Sequence, residues 1–207
     1  MAEVVEDGFW TQTGELTDEA RWLNTDGQHW TLKEAGATCR LQVGDFWQRT
    51  FYSPPICKSN APALLRPFPP DHRVETEFVI EPQNQFDQAG LLVYCHDQCW
   101  LKAGIEYADG ALRLSTVVTN GFSDWSTQVV ATAGCALRVS RTSVQDYVVE
   151  VQNEAGAWDF IRIAHLDTKE QDTVRAGLYA CAPQQIGGLV RFSRARLQQG
   201  IDFAHSA

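Results

Sequence analysis

Between Asp87 and Ser126 the chain runs through three consecutive strand-length stretches, DQAGLLVYC, CWLKAGIEY and ALRLSTVVT, and then into NGFSDWS. Successive side chains of a strand point to opposite faces, and in these stretches the apolar and polar residues separate by that period. As an antiparallel meander they have one hydrocarbon face. The other face carries Gln88, Tyr94, Trp100, Lys102, Glu106, Arg113 and Thr119 around Gly90 and Gly104.

The turns set the register. Asp109-Gly110 is a type I′ hairpin signal, because both central residues of that turn need positive φ. It places Glu106 opposite Arg113, Gly104 opposite Ser115, Lys102 opposite Val117 and Trp100 opposite Thr119. On the reverse face Tyr107, Ile105, Ala103 and Leu101 meet Leu112, Leu114, Thr116 and Val118; a slip of one residue would mix the two sets. A three-residue loop, His96-Asp97-Gln98, pairs Tyr94 with Trp100, Leu92 with Lys102, Gly90 with Gly104 and Gln88 with Glu106. Glycine inside a strand often marks the close approach of a ligand or of another backbone. Two readings of the glycine pair follow: a binding groove, or a polar outer face that accommodates a neighbouring loop or bulge.

The rest of the chain reads as more of the same architecture. Residues 30–43 form a hairpin turning near Gly36. The proline-rich stretch Pro54–Pro70 reads as a loop, since proline cannot join a central ladder. VETEFVI puts Val74, Thr76, Phe78 and Ile80 on one face, and ALRVSRTS, YVVEVQ, WDFIRIAHL, VRAGLYACA and GGLVRFSRARL continue as strands. Short helical turns are expected at Thr17–Leu23 and Asp167–Gln171. Eleven to thirteen strands in two stacked sheets exceed an immunoglobulin-like sandwich, so the expectation is an all-β, two-sheet antiparallel jelly roll. With no low-complexity linker, residues 1–207 read as one domain.

A net charge of −9 argues against nucleic acid or an anionic membrane as the main partner. Of the four lysines only Lys102 is embedded in an apolar strand. The chain opens with no basic-then-apolar leader and has no membrane-spanning stretch, so a cytoplasmic location is expected. The six cysteines then read as reduced thiols. Cys95, His96 and Cys99 have the composition of a metal clip, but the spacing lacks a second ligand pair. No metal and no cofactor is expected.

DFWQRT (45–50), FDQAGLLV (86–93), WLKAGIEY (100–107) and STVVTNGFSDWS (115–126) closely resemble a domain family of unknown function typified by the fungal regulation-of-enolase protein. AGLYACAP followed by VRFSRARL is similar to that family's closing pattern. The resemblance spans essentially the whole chain and implies a concanavalin A-like lectin/glucanase jelly roll. It supplies no reaction; the enolase link is a regulatory effect in yeast.

Sugar recognition needs an aromatic platform for C–H faces and polar groups for hydroxyls. Trp47, Trp100 and Trp125 are candidates for the first; Gln88, Lys102, Glu106 and Asp124 for the second. Each tryptophan has core packing as its ordinary alternative, and Glu106 has a surface ion pair with Arg113. Lys102 and Glu106 lie about 13 Å apart along their strand. Glycoside hydrolysis requires two carboxylates about 5–9.5 Å apart. Glu75 and Glu77 share a face at roughly 7 Å, but the three-acid run of glucanases is absent; Glu106 with Asp124 is another pair. No nucleophile elbow or phosphate loop appears. The expected function is therefore lectin-like binding of a carbohydrate or similar polyol, without assigned catalytic residues. The alternatives are a carbohydrate-active enzyme and a non-catalytic protein-interaction module with a regulatory role in sugar metabolism.

Overall fold

The computed structural model describes residues 8–201, and none of these is helical. In chain order the strands are β1 (Arg21–Leu23), β2 (Trp30–Lys33), β3 (Gly36–Arg40), β4 (Gln42–Val43), β5 (Phe46–Gln48) and β6 (Cys57–Ser59). Next come β7 (Ala63–Pro67), β8 (His72–Glu81), β9 (Gln88–His96), β10 (Cys99–Ala108), β11 (Ala111–Asn120) and β12 (Ser123–Val129). The chain continues with β13 (Gly134–Arg141), β14 (Asp146–Gln152), β15 (Trp158–His165), β16 (Arg175–Ala182) and β17 (Leu189–Gln199).

One sheet has the order β1-β7-β16-β9-β10-β11-β12, with β4 added parallel to β16; the other runs β15-β14-β13-β8-β17-β3-β2. The two stack through Leu91, Val93, Leu101 and Ile105 on one side and Phe78, Ile80, Val139 and Phe192 on the other. A separate two-stranded ribbon, β5-β6, belongs to neither sheet.

The meander forms in the register that its turns dictate, from Trp100 opposite Thr119 through Glu106 opposite Arg113. Asp109 and Gly110 have φ of 53° and 77°, the two positive angles a type I′ turn demands. Tyr94–Trp100, Gly90–Gly104 and Gln88–Glu106 are also paired as expected. The first turn differs: only Asp97 and Gln98 separate the strands, Cys99 pairs with His96, and an irregularity between Cys99 and Trp100 absorbs the extra residue. Asp87, buried ahead of β9, organises the preceding loop: its Oδ2 accepts the N–H groups of Gln83, Asn84 and Gly188.

Three expectations are corrected. The proline-rich stretch holds β6 and β7, because Pro62 precedes β7 and Pro67 ends it, leaving ALLR free to join the ladder between β1 and β16. Thr17–Leu23 ends in strand β1, and Asp167–Gln171 forms no helix. Seventeen strands replace the eleven to thirteen expected; several are only two or three residues long, too short to show a hydrophobic period.

Candidate functional site

The face of the meander turned away from the second sheet is covered. Phe46 and Trp47 of β5 pack onto Leu65, Leu92, Tyr94, Trp100, Val117, Tyr179 and Cys181, making a second apolar cluster outside the sandwich core. The ribbon is held there by side chains: Ser123 Oγ accepts the Gln48 N–H at 2.9 Å, and Gln48 Nε2 donates to the Asp97 carbonyl at 3.1 Å. Thr119 Oγ1 lies 2.9 Å from that same Ser123 hydroxyl.

Beside this cluster the ribbon leaves a cavity of about 210 Å³. Trp47, Tyr52, Ile56, Phe86, Val117 and Trp125 supply its apolar wall; Asp45, Lys58, Gln88, Lys102, Glu106 and Gln184 supply polar groups. Trp47 meets Trp125 edge-on, with ring centroids 6.0 Å apart, and Tyr52 at 5.8 Å. Both indoles are fixed by their N–H groups, Trp47 Nε1 donating to the Thr50 carbonyl at 3.0 Å and Trp125 Nε1 to Ser115 Oγ at 2.8 Å.

The polar side of the cavity holds two hydrogen-bonded sets, Lys102 with Gln88 and Asp45, and Glu106 with Ser115, coupled through charge. Lys102 Nζ donates to Gln88 Oε1 at 2.8 Å and to Asp45 Oδ1 at 3.2 Å, and the lysine is only 3 % exposed. Burial opposes its charge, but the Asp45 and Glu106 carboxylates outweigh that penalty and hold the ammonium above its usual range. Glu106, 7 % exposed, accepts a hydrogen bond from Ser115 Oγ at 3.0 Å. Burial raises its carboxyl above the ordinary glutamate range, against the opposing pull of Lys102 and of the Ser115 hydroxyl. Burial likewise lifts Tyr52, helped by the negative charge of Asp45 and Glu106. The cavity thus offers a fixed cation, a carboxylate beside it and a second carboxyl group biased towards its neutral form.

Five of the seven residues picked from the sequence line this cavity: Trp47, Gln88, Lys102, Glu106 and Trp125. Trp100 does not. It is fully buried beneath Phe46, 5.4 Å between ring centroids, with Lys102 Nζ over its ring at 5.9 Å. Asp124 does not either: next to Trp125 on a strand, its side chain takes the opposite direction, lies largely exposed and pairs with Arg162 at 3.1 Å. The expected Glu106–Arg113 pair is replaced by Glu106–Ser115, and Arg113 donates instead to the Ala108 carbonyl and Thr127 Oγ1. Glu75 and Glu77 belong to β8 in the other sheet. Gly90 and Gly104 are not a bare floor: a Cβ on Gly104 would lie 2.0 Å from the Ala89 carbonyl oxygen, and one on Gly90 would lie 2.6 Å from Gly104 Cα. Their role is the close approach of β9 and β10. Asp45, which no spacing argument could tie to Lys102 across 57 positions, is the functional residue that sequence reasoning left without a role.

Two stacked sheets, antiparallel apart from β4, with a side-chain-lined cavity on one outer face make an all-β jelly-roll sandwich. The chain belongs to the family described as protein of unknown function (DUF1349), which matches residues 22–200. It is 35% identical to Regulation of enolase protein 1 of Saccharomyces cerevisiae over 183 residues, 84% of this chain and 87% of that protein. A crystal structure of a functionally unknown protein from Saccharomyces cerevisiae superposes with a TM-score of 0.79 at 31% identity, covering 89% of this chain and 98% of that one. The GH43 BlXynB protein from Bacillus licheniformis shares the fold at 16% identity and a TM-score of 0.69, over 92% of this chain but 38% of its own. Among the described residues no helix is long and apolar enough to cross a membrane.

Proposed function

We propose that the protein is a lectin-like binder that holds one carbohydrate ring or small polyol in the cavity beneath the β5-β6 ribbon. The observation that carries this reading is that aromatic and charged side chains line one small cavity together. Trp47 and Trp125 line the same space as Lys102, Gln88 and Glu106, and Ser115 bridges the Trp125 indole to the Glu106 carboxyl. Aromatic groups suit the C–H face of a sugar, while a fixed ammonium donates to hydroxyls and carboxylate oxygens accept from them. At about 210 Å³ the cavity falls below the roughly 300–1,000 Å³ of pockets for drug-sized ligands, which suits a single ring. The six unpaired cysteines, three of them buried, support a cytoplasmic location.

The test is calorimetric and tryptophan-fluorescence titration with a panel of monosaccharides and polyols. Saturable binding is expected, weakened at least about tenfold by Trp125→Ala, with Glu106→Gln altering the ligand preference. Silence across a broad panel sinks the reading.

One observation favours a second reading, a carbohydrate-active enzyme: Asp45 and Glu106 both act on Lys102 from the cavity wall, one carboxylate paired and the other biased neutral. Turnover of a bound sugar that stops in Glu106→Gln while binding persists would establish it. The regulatory role named for the yeast relative suits a protein partner instead, and the exposed Phe51 and Phe122 would serve such a contact better than this narrow cavity.

A further inference from the structure

A second group of reactive side chains lies outside the cavity, where β9 turns into β10. Cys95, His96 and Cys99 each offer one donor atom, and these atoms all lie within 4.8 Å of one another. The turn produces this convergence. Cys95 and His96 end β9, Cys99 begins β10, and the irregular register at Cys99 re-aims its side chain. The Cys99 thiol donates to Asn120 Oδ1 at 3.7 Å, and the negative charge of Asp172, in the loop ahead of β16, bears on the Cys95 thiol. Cys99 is buried, Cys95 half-buried and His96 exposed, so the cluster has one side open to solvent.

Two sulfurs and an imidazole, with a water completing the tetrahedron, are a donor set that zinc takes. Bond lengths of about 2.3 Å to sulfur and about 2.0–2.2 Å to nitrogen and oxygen put such donors roughly 3.3–3.8 Å apart. The present separations need to contract by only about 1 Å. The hairpin lacks a second ligand pair, so the fourth position falls to solvent on the open side of the cluster.

We propose that Cys95, His96 and Cys99 form a three-ligand zinc site whose fourth position is taken by water from the open side of the cluster. Binding replaces the two S–H protons by metal–sulfur bonds and releases both protons to solvent, with no change in oxidation state. The site would stiffen the turn on which the ribbon rests: Asp97 accepts the Tyr94 hydroxyl at 2.7 Å and, through its carbonyl, Gln48 Nε2 at 3.1 Å. The proposal is independent of what the cavity binds.

The experiment titrates the reduced full chain with Co²⁺ as a spectroscopic probe and then displaces it with Zn²⁺. A thiolate-to-cobalt charge-transfer band with intense tetrahedral d–d bands is expected, bleached by one equivalent of Zn²⁺. His96→Ala, at an exposed position where folding is not at stake, lowers the affinity at least about tenfold. Cys95→Ser diminishes the charge-transfer band, and Cys57→Ser, a control at an exposed thiol, leaves the spectrum unchanged. Absence of the bands overturns the proposal. So does a spectrum indifferent to His96→Ala and Cys95→Ser, or a Cys95–Cys99 disulfide that persists in reductant.

Discussion

The glycine pair in the meander permits a test whose sign, and not only its size, is diagnostic. Gly104→Ala introduces a Cβ 2.0 Å from the Ala89 carbonyl oxygen and 3.0 Å from Gly90 Cα. Both are backbone atoms of the neighbouring strand, so no flexible side chain can yield. Reaching even 3.0 Å requires β9 and β10 to part by about 1 Å, and a ladder hydrogen bond stretched that far from about 2.9 Å is lost. Two flanking bonds at about 1 kcal/mol each, plus packing strain of about 1–3 kcal/mol, outweigh the 0.4–1 kcal/mol or so that alanine gains by restricting the unfolded chain. The expected net loss is about 2–5 kcal/mol. Urea unfolding followed by tryptophan fluorescence should show a lower midpoint at unchanged m-value. An unchanged or raised midpoint would refute the steric argument and restore the glycines to the role of an open binding floor. Lys102 and Glu106 lie two residues to either side of Gly104, so ligand titrations of the same variant report whether the cavity depends on this close approach.

Lys102→Met removes the cation from between Asp45 and Gln88 and should cost about 3 kcal/mol in urea unfolding, the usual scale for breaking a buried pair; a loss under about 0.5 kcal/mol would deny the network any structural role. Glu106→Gln should change the pH dependence of stability. Because burial raises the folded carboxyl above its unfolded value, the native protein binds the proton more tightly and loses stability as pH rises from about 4.3 through the raised value. The stability of the glutamine variant relative to the parent should therefore climb over that window, and a flat difference between pH 4 and 8 or so would contradict the assigned direction. In the other sheet Arg138 pairs with buried Glu150 at 2.5 and 2.9 Å and lies over Trp158 at 4.6 Å. Arg138→Met should cost about 3–5 kcal/mol, most of it recovered when Glu150→Leu is added, since apolar replacement of both partners is often neutral.

The register of the meander was legible because one dipeptide, Asp109-Gly110, fixes a turn and a period of two propagates it through both neighbouring strands. Alternation tells which residues share a face, and it gathered Gln88, Lys102 and Glu106 correctly. It does not tell what covers that face. The β5-β6 ribbon is made of three-residue strands with no period of their own, so the burial of Trp100 beneath Phe46 and the pairing of Asp45 with Lys102 left no local trace. Asp124 was misplaced for a related reason: acid and indole are adjacent in sequence, and only one of two neighbours on a strand can face the cavity. The prolines misled because their number, rather than their placement at the ends of β7, was read as excluding a strand.

Among the described residues no backbone hydrogen bond joins residues 46–59 to either sheet. Every strand of the sandwich is zipped to its neighbours, whereas the roof over the cavity rests on side-chain bonds and packing. The protein therefore has two thresholds of opening. Amides of β9, β10 and β11 exchange with solvent only when the sandwich itself unfolds, while those of the ribbon exchange in smaller excursions that leave both sheets intact. A molecule held beneath the roof slows the second kind of exchange selectively, so protection at Gln48 and Arg49 reads out occupancy of the cavity without any knowledge of what fills it.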